Sequence, residues 1–66
     1  MVKTLIMLIL LFDGTLLQER VELPVPTTPH NCLNYGEMYR DSIATYRKNG
    51  YYLNDGRGTI QGYMCE

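Results

Sequence analysis

The chain has 66 residues and a formal net charge of −1, with six Lys or Arg against seven Asp or Glu. A chain this short forms one domain and buries only about 60% of its unfolded surface, so we expect it to need a covalent staple or a partner. Its balanced charge contains no basic stripe, which argues against binding nucleic acid by phosphate neutralisation.

The first predicted element is a strand over residues 2–12. This run is almost entirely large and apolar and stops at Asp13-Gly14, after which a second apolar-rich run begins. Two such runs joined by Asp-Gly are typical of a β-hairpin with a type I′ turn, because both turn residues then need positive φ and Asp and Gly tolerate it best.

The same opening run also fits the apolar core of a signal peptide, with Lys3 as its only preceding charge. No small-x-small cleavage site follows it, and removing it would leave little core. A membrane span needs about 20 apolar residues, roughly twice what this run offers. We therefore expect a strand and no membrane span, with an N-terminal signal or anchor as the alternative.

The second predicted strand covers residues 15–23. Its side chains alternate, with Leu17, Val21 and Leu23 on one face, as in a strand that is half buried. Pro24 and Pro26 are expected to end it, because proline cannot donate to a ladder.

One helix is predicted over residues 29–48. Thr28 suits the N-cap and Pro29 the first helical position. Apolar positions then recur at helical spacing, and Asn49-Gly50 resembles a C-terminal stop. The stripe that faces the sheet would comprise Cys32, Tyr35, Gly36, Tyr39, Ile43 and Tyr46.

The last part of the chain predicts a loop over residues 50–58 and a strand over residues 59–65. The resulting ββαβ order predicts an α+β domain with a three-stranded antiparallel sheet of order 2-1-3 and the helix on one face. A central first strand would explain why it is apolar on both faces.

Nothing else in the chain would cover the second face of this sheet, which carries either the odd or the even side chains of the first strand. A bare apolar face of that size usually marks an interface, so we expect a homodimer or a host protein partner. We include Tyr51 and Tyr52 among the predicted interface residues because tyrosine is enriched at protein interfaces. The predicted interface residues are Leu5, Met7, Ile9, Leu11, Tyr51 and Tyr52, with Ile6, Leu8 and Leu10 as the alternative set.

The two cysteines are expected to lie close together. From Cys32 the helix would cover about 24 Å, and the last strand would return about 20 Å to Cys65. A disulfide between them would contribute roughly 3 to 4 kcal/mol. Two reduced, buried thiols remain the alternative, because oxidation depends on the cellular compartment.

No group of residues predicts catalysis, a metal site or a cofactor. His30 and Cys32 lie two residues apart, which is one short pair where a zinc site needs four ligands. Cys32 as a thiol nucleophile at a helix N-terminus is the weakest functional alternative. We therefore expect a protein that is not an enzyme.

Taken whole, the chain resembles short uncharacterised ββαβ proteins encoded by bacteriophages and prophages. The likeness spans the apolar opening strand, the turn, the second strand that ends in proline, and cysteines early in the helix and at the C-terminus. The resemblance implies an accessory or host-interacting role, in the cytoplasm of an infected bacterium. The alternative is an exported or periplasmic protein stabilised by its disulfide.

Overall fold

The computed structural model describes residues 1–66 as an α+β domain with one helix on one face of an antiparallel sheet. The sheet has five strands in the order β2-β1-β5-β4-β3, so the prediction of a three-stranded sheet is wrong. The elements in chain order are β1 (Val2–Leu11), β2 (Leu16–Thr27), α1 (Pro29–Ile43), β3 (Ala44–Arg47), β4 (Gly50–Leu53) and β5 (Gly58–Cys65).

Strand β1 lies between β2 and β5 and pairs antiparallel with both. This position explains its composition, because the strand is shielded from water by a neighbour on each side and therefore carries large apolar residues on both faces. Thr4 to Met7 form an unbroken buried run.

The turn from β1 to β2 is longer than the predicted type I′ turn. The Leu11 N–H donates to the Thr15 carbonyl at 2.8 Å, which leaves three residues in the loop. Only Gly14 has a positive φ, at 92°, whereas type I′ would require it at Asp13 also. The Asp13 carboxylate instead accepts the Thr15 N–H at 2.8 Å, and this bond lowers the pKa of Asp13 below its ordinary value.

Strand β2 continues through both prolines to Thr27, past its predicted end at residue 23. It is an edge strand, so a residue whose N–H would point away from β1 does not need that donor. The pairing with β1 shifts register between Val2 and Thr4, beside Pro24 and Pro26. Proline therefore interrupts the ladder here without ending the strand.

Helix α1 begins as predicted, with the Thr28 hydroxyl accepting the Asn31 N–H at 3.2 Å. It ends at Ile43, five residues before the predicted end at residue 48, and the chain turns directly into β3. Residues 44–47 and 50–53 pair as a hairpin. The sequence had predicted the last turns of the helix for the first of these segments and a loop for the second. Lys48 and Asn49 form the turn of this hairpin, and Gly50, the first residue of β4, has a φ of 139°.

The hydrophobic core lies between the helix and the sheet. The side chains of Leu5, Met7 and Ile9 are fully buried at its centre, and Leu11 packs against it. These four residues were predicted to form the exposed interface. That assignment is corrected, because they are the face of β1 that the helix covers. The other core residues are Leu23, Cys32, Ala44, Leu53 and Ile60.

Candidate interaction surface

Three contacts show which face of the sheet the helix covers. Cys32 of α1 is bonded to Cys65, the partner of Leu5 in the sheet register. Gly36 lies so close to Leu5 and Tyr63 that an added Cβ would fall 2.6 Å from the Tyr63 ring. All of these sheet residues share the face of β1 that carries its odd-numbered side chains.

The opposite side of the sheet, which we call the open face, carries the even-numbered side chains of β1. Side chains of paired residues point to the same face, so the register assigns the neighbours. The only helix lies on the other side of the sheet. The open face comprises Thr4, Ile6, Leu8, Leu10, Leu16, Gln18, Arg20, Glu22, Thr45, Arg47, Tyr52, Thr59, Gly62 and Met64.

One end of the open face is closed by the chain's own polar side chains. The Thr4 hydroxyl donates to the Glu22 carboxylate at 3.1 Å, and Arg20 forms an ion pair with Glu66. Ile6 lies between these groups and is only 2% exposed. This end therefore presents a polar surface with an apolar residue beneath it.

The other end of the open face is apolar and uncovered. Exposed fractions there are 38% for Leu10, 60% for Leu16 and 66% for Phe12, and the apolar surface extends along the sheet to Met64, which lies beside Ile6 and is 47% exposed. Gly62 lies beside Leu8 and has no side chain, so Leu8 is left partly open on that flank. We call this surface the apolar patch, and its members are Leu8, Leu10, Phe12, Leu16, Tyr52 and Met64.

Aromatic residues border the patch where the β1–β2 turn meets β4. The rings of Phe12 and Tyr52 are 6.4 Å apart between centroids. The Arg47 guanidinium lies 5.8 Å from the Tyr52 ring centroid and brings a positive charge to this border. The Phe12 N–H donates to the Arg57 carbonyl at 3.0 Å, which ties the turn to the β4–β5 loop.

The two predicted interface tyrosines point to opposite faces of β4. Tyr52 belongs to the apolar patch, whereas Tyr51 faces the helix, with the Arg40 guanidinium 3.9 Å from its ring centroid. Arg40 also lies 5.7 Å from the centroid of Tyr63. Tyr51 and Tyr63 therefore hold a cation between helix and sheet.

On the helix side, a second polar contact joins α1 to β2. The Tyr39 hydroxyl donates to the Glu19 carboxylate at 3.1 Å. Partial burial of the phenol, and then this hydrogen bond, raise the pKa of Tyr39 above its ordinary value. The contact orients α1 over the sheet and offers no exposed reactive group.

The predicted proximity of the cysteines is confirmed, and a disulfide joins Cys32 to Cys65 across 33 positions in the sequence. Cys32 is fully buried, so the protein in this form has no thiol at the helix N-terminus that could attack a substrate. The bond instead fixes the start of α1 to the end of β5.

The structure contains no surface pocket and no group of three or more His, Cys, Asp or Glu side chains that could hold a metal ion. Its one helix lacks the length and apolar character that crossing a membrane requires.

Sequence reasoning missed Phe12, Leu16 and Met64 as members of the uncovered surface. Leu16 and Met64 could have been identified from strand pairing, because each lies opposite an even-numbered residue of β1 and so shares its face. The sequence of β1 alone could not show whether its odd-numbered or its even-numbered side chains face the helix, because both faces are apolar. Comparison of the chain with known protein families, curated proteins and solved structures finds no match.

Proposed function

We propose that this chain is a small non-enzymatic interaction protein that self-associates by packing the apolar patch against the same patch of a second copy. The observation that carries the proposal is the exposure of Leu10, Phe12, Leu16 and Met64 on the sheet face opposite the only helix. Patches of this kind on small soluble domains are usually protein interfaces.

The size of the face suits a second copy of the chain. The molecule measures 34 by 21 by 16 Å, and the sheet accounts for its two larger dimensions. The whole face, with its polar end, projects to roughly 700 Å², close to the ~800 Å² per partner that a standard interface buries. A two-fold axis would place the patch of one copy on that of the other, so a single self-complementary surface is sufficient.

Burial of the patch would stabilise the assembly chiefly through the hydrophobic effect, at about 25 cal/mol per Å² of apolar surface removed from water. The polar end, where Arg20, Glu22 and Glu66 lie, would then form part of the rim. Charged groups at an interface rim stay hydrated and contribute mainly to orientation.

The test is the mass of the assembly in sedimentation velocity for two charge insertions in the patch, Leu16→Lys and Met64→Lys. Each places an ammonium group in the buried contact, and we expect the dissociation constant to rise at least about 100-fold, equivalent to ~2.7 kcal/mol. The mass of the assembly should then fall by half at concentrations where the wild-type chain is fully associated.

Matched controls lie on the outer side of α1, where Leu33 and Met38 are 43% and 72% exposed. Leu33→Lys and Met38→Lys make the same chemical change away from the patch and should leave the mass unchanged. A wild-type chain that is monomeric at about 100 μM, roughly a hundred times a dissociation constant of 1 μM, would contradict the proposal. So would an equal loss of assembly mass with all four variants.

The setting we propose is that of a phage-encoded accessory protein, which rests on the resemblance of the whole chain to short phage and prophage proteins. The disulfide favours a second candidate, an exported or periplasmic protein, because such bonds persist in oxidising compartments. If an N-terminal signal were cleaved, however, the chain would lose β1 and with it Leu5, Met7 and Ile9 of the core.

Intact-mass spectrometry of the protein from its native cells, without reductant, separates these two candidates. A chain that retains residues 2–11 supports the accessory protein. A chain that begins after Phe12 supports export. It would also overturn the proposed apolar patch, because the patch needs β1 in the sheet.

A further inference from the structure

Strand β2 forms one edge of the sheet, and the direction of its backbone groups follows from hydrogen bonds at both ends of β1. The Leu11 N–H points toward β2, because it donates to Thr15. The Thr4 N–H points toward β5, because it donates to the Glu66 carbonyl at 2.9 Å. From Leu5 to Leu11, where the pairing with β2 is regular, odd-numbered residues of β1 therefore bond to β2 and even-numbered ones bond to β5.

The same alternation applies to β2 through the register. Its residues opposite the odd positions of β1, such as Glu19 and Val21, use their N–H and C=O groups inside the sheet. Gln18, Arg20 and Glu22 point theirs away from it. These six backbone groups form an unpaired edge of the kind that pairs readily with another strand.

The free edge has a defined end. Beyond Glu22 the register shifts, and Pro24 and Pro26 follow. Proline lacks the N–H that a pairing strand would need. Pairing is thus confined to the part of β2 that precedes the prolines.

The charges on this edge favour one register with a second copy. If two β2 strands pair antiparallel about a two-fold axis at Val21, then Arg20 of each copy lies opposite Glu22 of the other. Opposite charges across strands stabilise a pair, whereas like charges directly opposite each other destabilise it. A register centred on Glu19 or on Arg20 would place two like charges at the axis, so the Val21 register is preferred.

Charged residues on an edge strand often prevent pairing, which is the opposing interpretation. They do so when charges of one sign meet. Here the signs alternate about Val21, and the side chains are free to change partners, since Arg20 and Glu66 are each more than half exposed in their ion pair.

We propose that β2 pairs antiparallel with β2 of a second copy about Val21, which joins two five-stranded sheets into one continuous sheet. The axis is perpendicular to the sheet, so both helices lie on one side and both apolar patches on the other. This contact goes beyond the proposed function and does not depend on it. Where both hold and their axes intersect at right angles, two joined sheets stack through their patches into a tetramer with three two-fold axes.

The experiment mixes two charge variants, Arg20→Glu and Glu22→Arg. Alone, each puts like charges opposite each other at both ends of the pairing, so each should lose the edge contact and have half the wild-type mass. Mixed in equal amounts they offer opposite charges at both positions, and the wild-type mass should return as a one-to-one assembly of the two variants. Recovery in the mixture also shows that both variants are folded.

Lys48→Glu and Glu37→Arg serve as controls, because they make charge changes of the same size on exposed residues of the β3–β4 turn and of α1. Both should keep the wild-type mass. If the edge variants also keep it, the edge contact does not exist, and if their mixture fails to regain it, the Val21 register is wrong.

The two contacts fail in distinguishable ways. If Leu16→Lys and Met64→Lys lower the mass of the assembly but the edge variants do not, the patch contact is supported and the edge pairing is contradicted. If only the edge variants lower the mass, the edge pairing is supported and the patch contact is contradicted.

Discussion

At the scale of single residues, two glycines of β5 lie in opposite environments. A Cβ on Gly58 would meet the backbone of Leu10 and fall 2.7 Å from the Cα of Leu11. A Cβ on Gly62 would meet nothing within 4 Å. Neither glycine has a positive φ, so the difference between them is one of space alone.

Gly58→Ala is expected to lower the free energy of unfolding by about 1 to 3 kcal/mol, the usual cost of forcing a methyl group into packed structure. The obstacle is the backbone of the central strand, which cannot move without disturbing its pairing. Urea unfolding followed by circular dichroism measures the change.

Gly62→Ala is the matched control on the same strand. It should leave stability unchanged or raise it by up to ~1 kcal/mol, because alanine loses less conformational freedom on folding. Equal losses for the two variants would show that β5 does not approach β1 as closely at Gly58 as the structure has it.

At the scale of elements, the disulfide holds α1 and β5 together where the helix begins and the strand ends. Residues 33 apart in sequence are joined, so the bond constrains half of the unfolded chain. Glu66, next to Cys65, bonds through its backbone to both Lys3 and Thr4. The bond therefore secures β5 against the central strand as well as the helix against the sheet.

Replacing both cysteines with alanine should lower the free energy of unfolding by about 4 kcal/mol, the chain-entropy value for a loop of this length. Alanine leaves no unpaired polar group in the core, where Cys32 is fully buried. Urea unfolding of the oxidised wild type and of the double variant gives the difference directly.

Reductant provides the control for this prediction. It should destabilise the wild-type chain by a similar amount and leave the double variant unchanged. If reduction lowers the free energy of unfolding of the wild-type chain by less than ~1 kcal/mol, the unfolded chain is already restricted without the bond.

At the scale of the whole molecule, one face of the sheet is the core and the other is the open face. Ile9 and Leu10 are adjacent in β1, yet Ile9 is fully buried beneath the helix side and Leu10 is 38% exposed on the other. Their contributions to stability should differ accordingly.

On a background of Met64→Lys with Arg20→Glu, which removes both proposed contacts and so separates folding from association, Ile9→Ala should cost about 2 to 5 kcal/mol of unfolding free energy, because it leaves a cavity in the core. Leu10→Ala should cost less than half of that. Thermal and urea unfolding of the two variants would reverse this order if the helix covered the even-numbered face instead.

Local signals in the sequence predicted several parts of this structure. The turn at Asp13-Gly14, the Thr28 cap and the proximity of Cys32 and Cys65 each follow from a few neighbouring residues or from element lengths. The end of α1 did not follow, because Tyr46 continues the apolar spacing of the helix and Asn49-Gly50 suits a helix stop as well as a hairpin turn. Pairing with β4 decided between these two interpretations.

The sequence by itself determined an α+β domain with one helix, an apolar first strand and a cysteine pair, since these depend on composition and local spacing. Only the tertiary structure decided that the sheet has five strands and that Leu5, Met7 and Ile9 face the helix. The physical reason is that β1 is apolar on both sides, so its own pattern has no preferred face. The choice is made by contacts distant in sequence, chiefly the Cys32–Cys65 bond and the close approach of Gly36 to Leu5 and Tyr63.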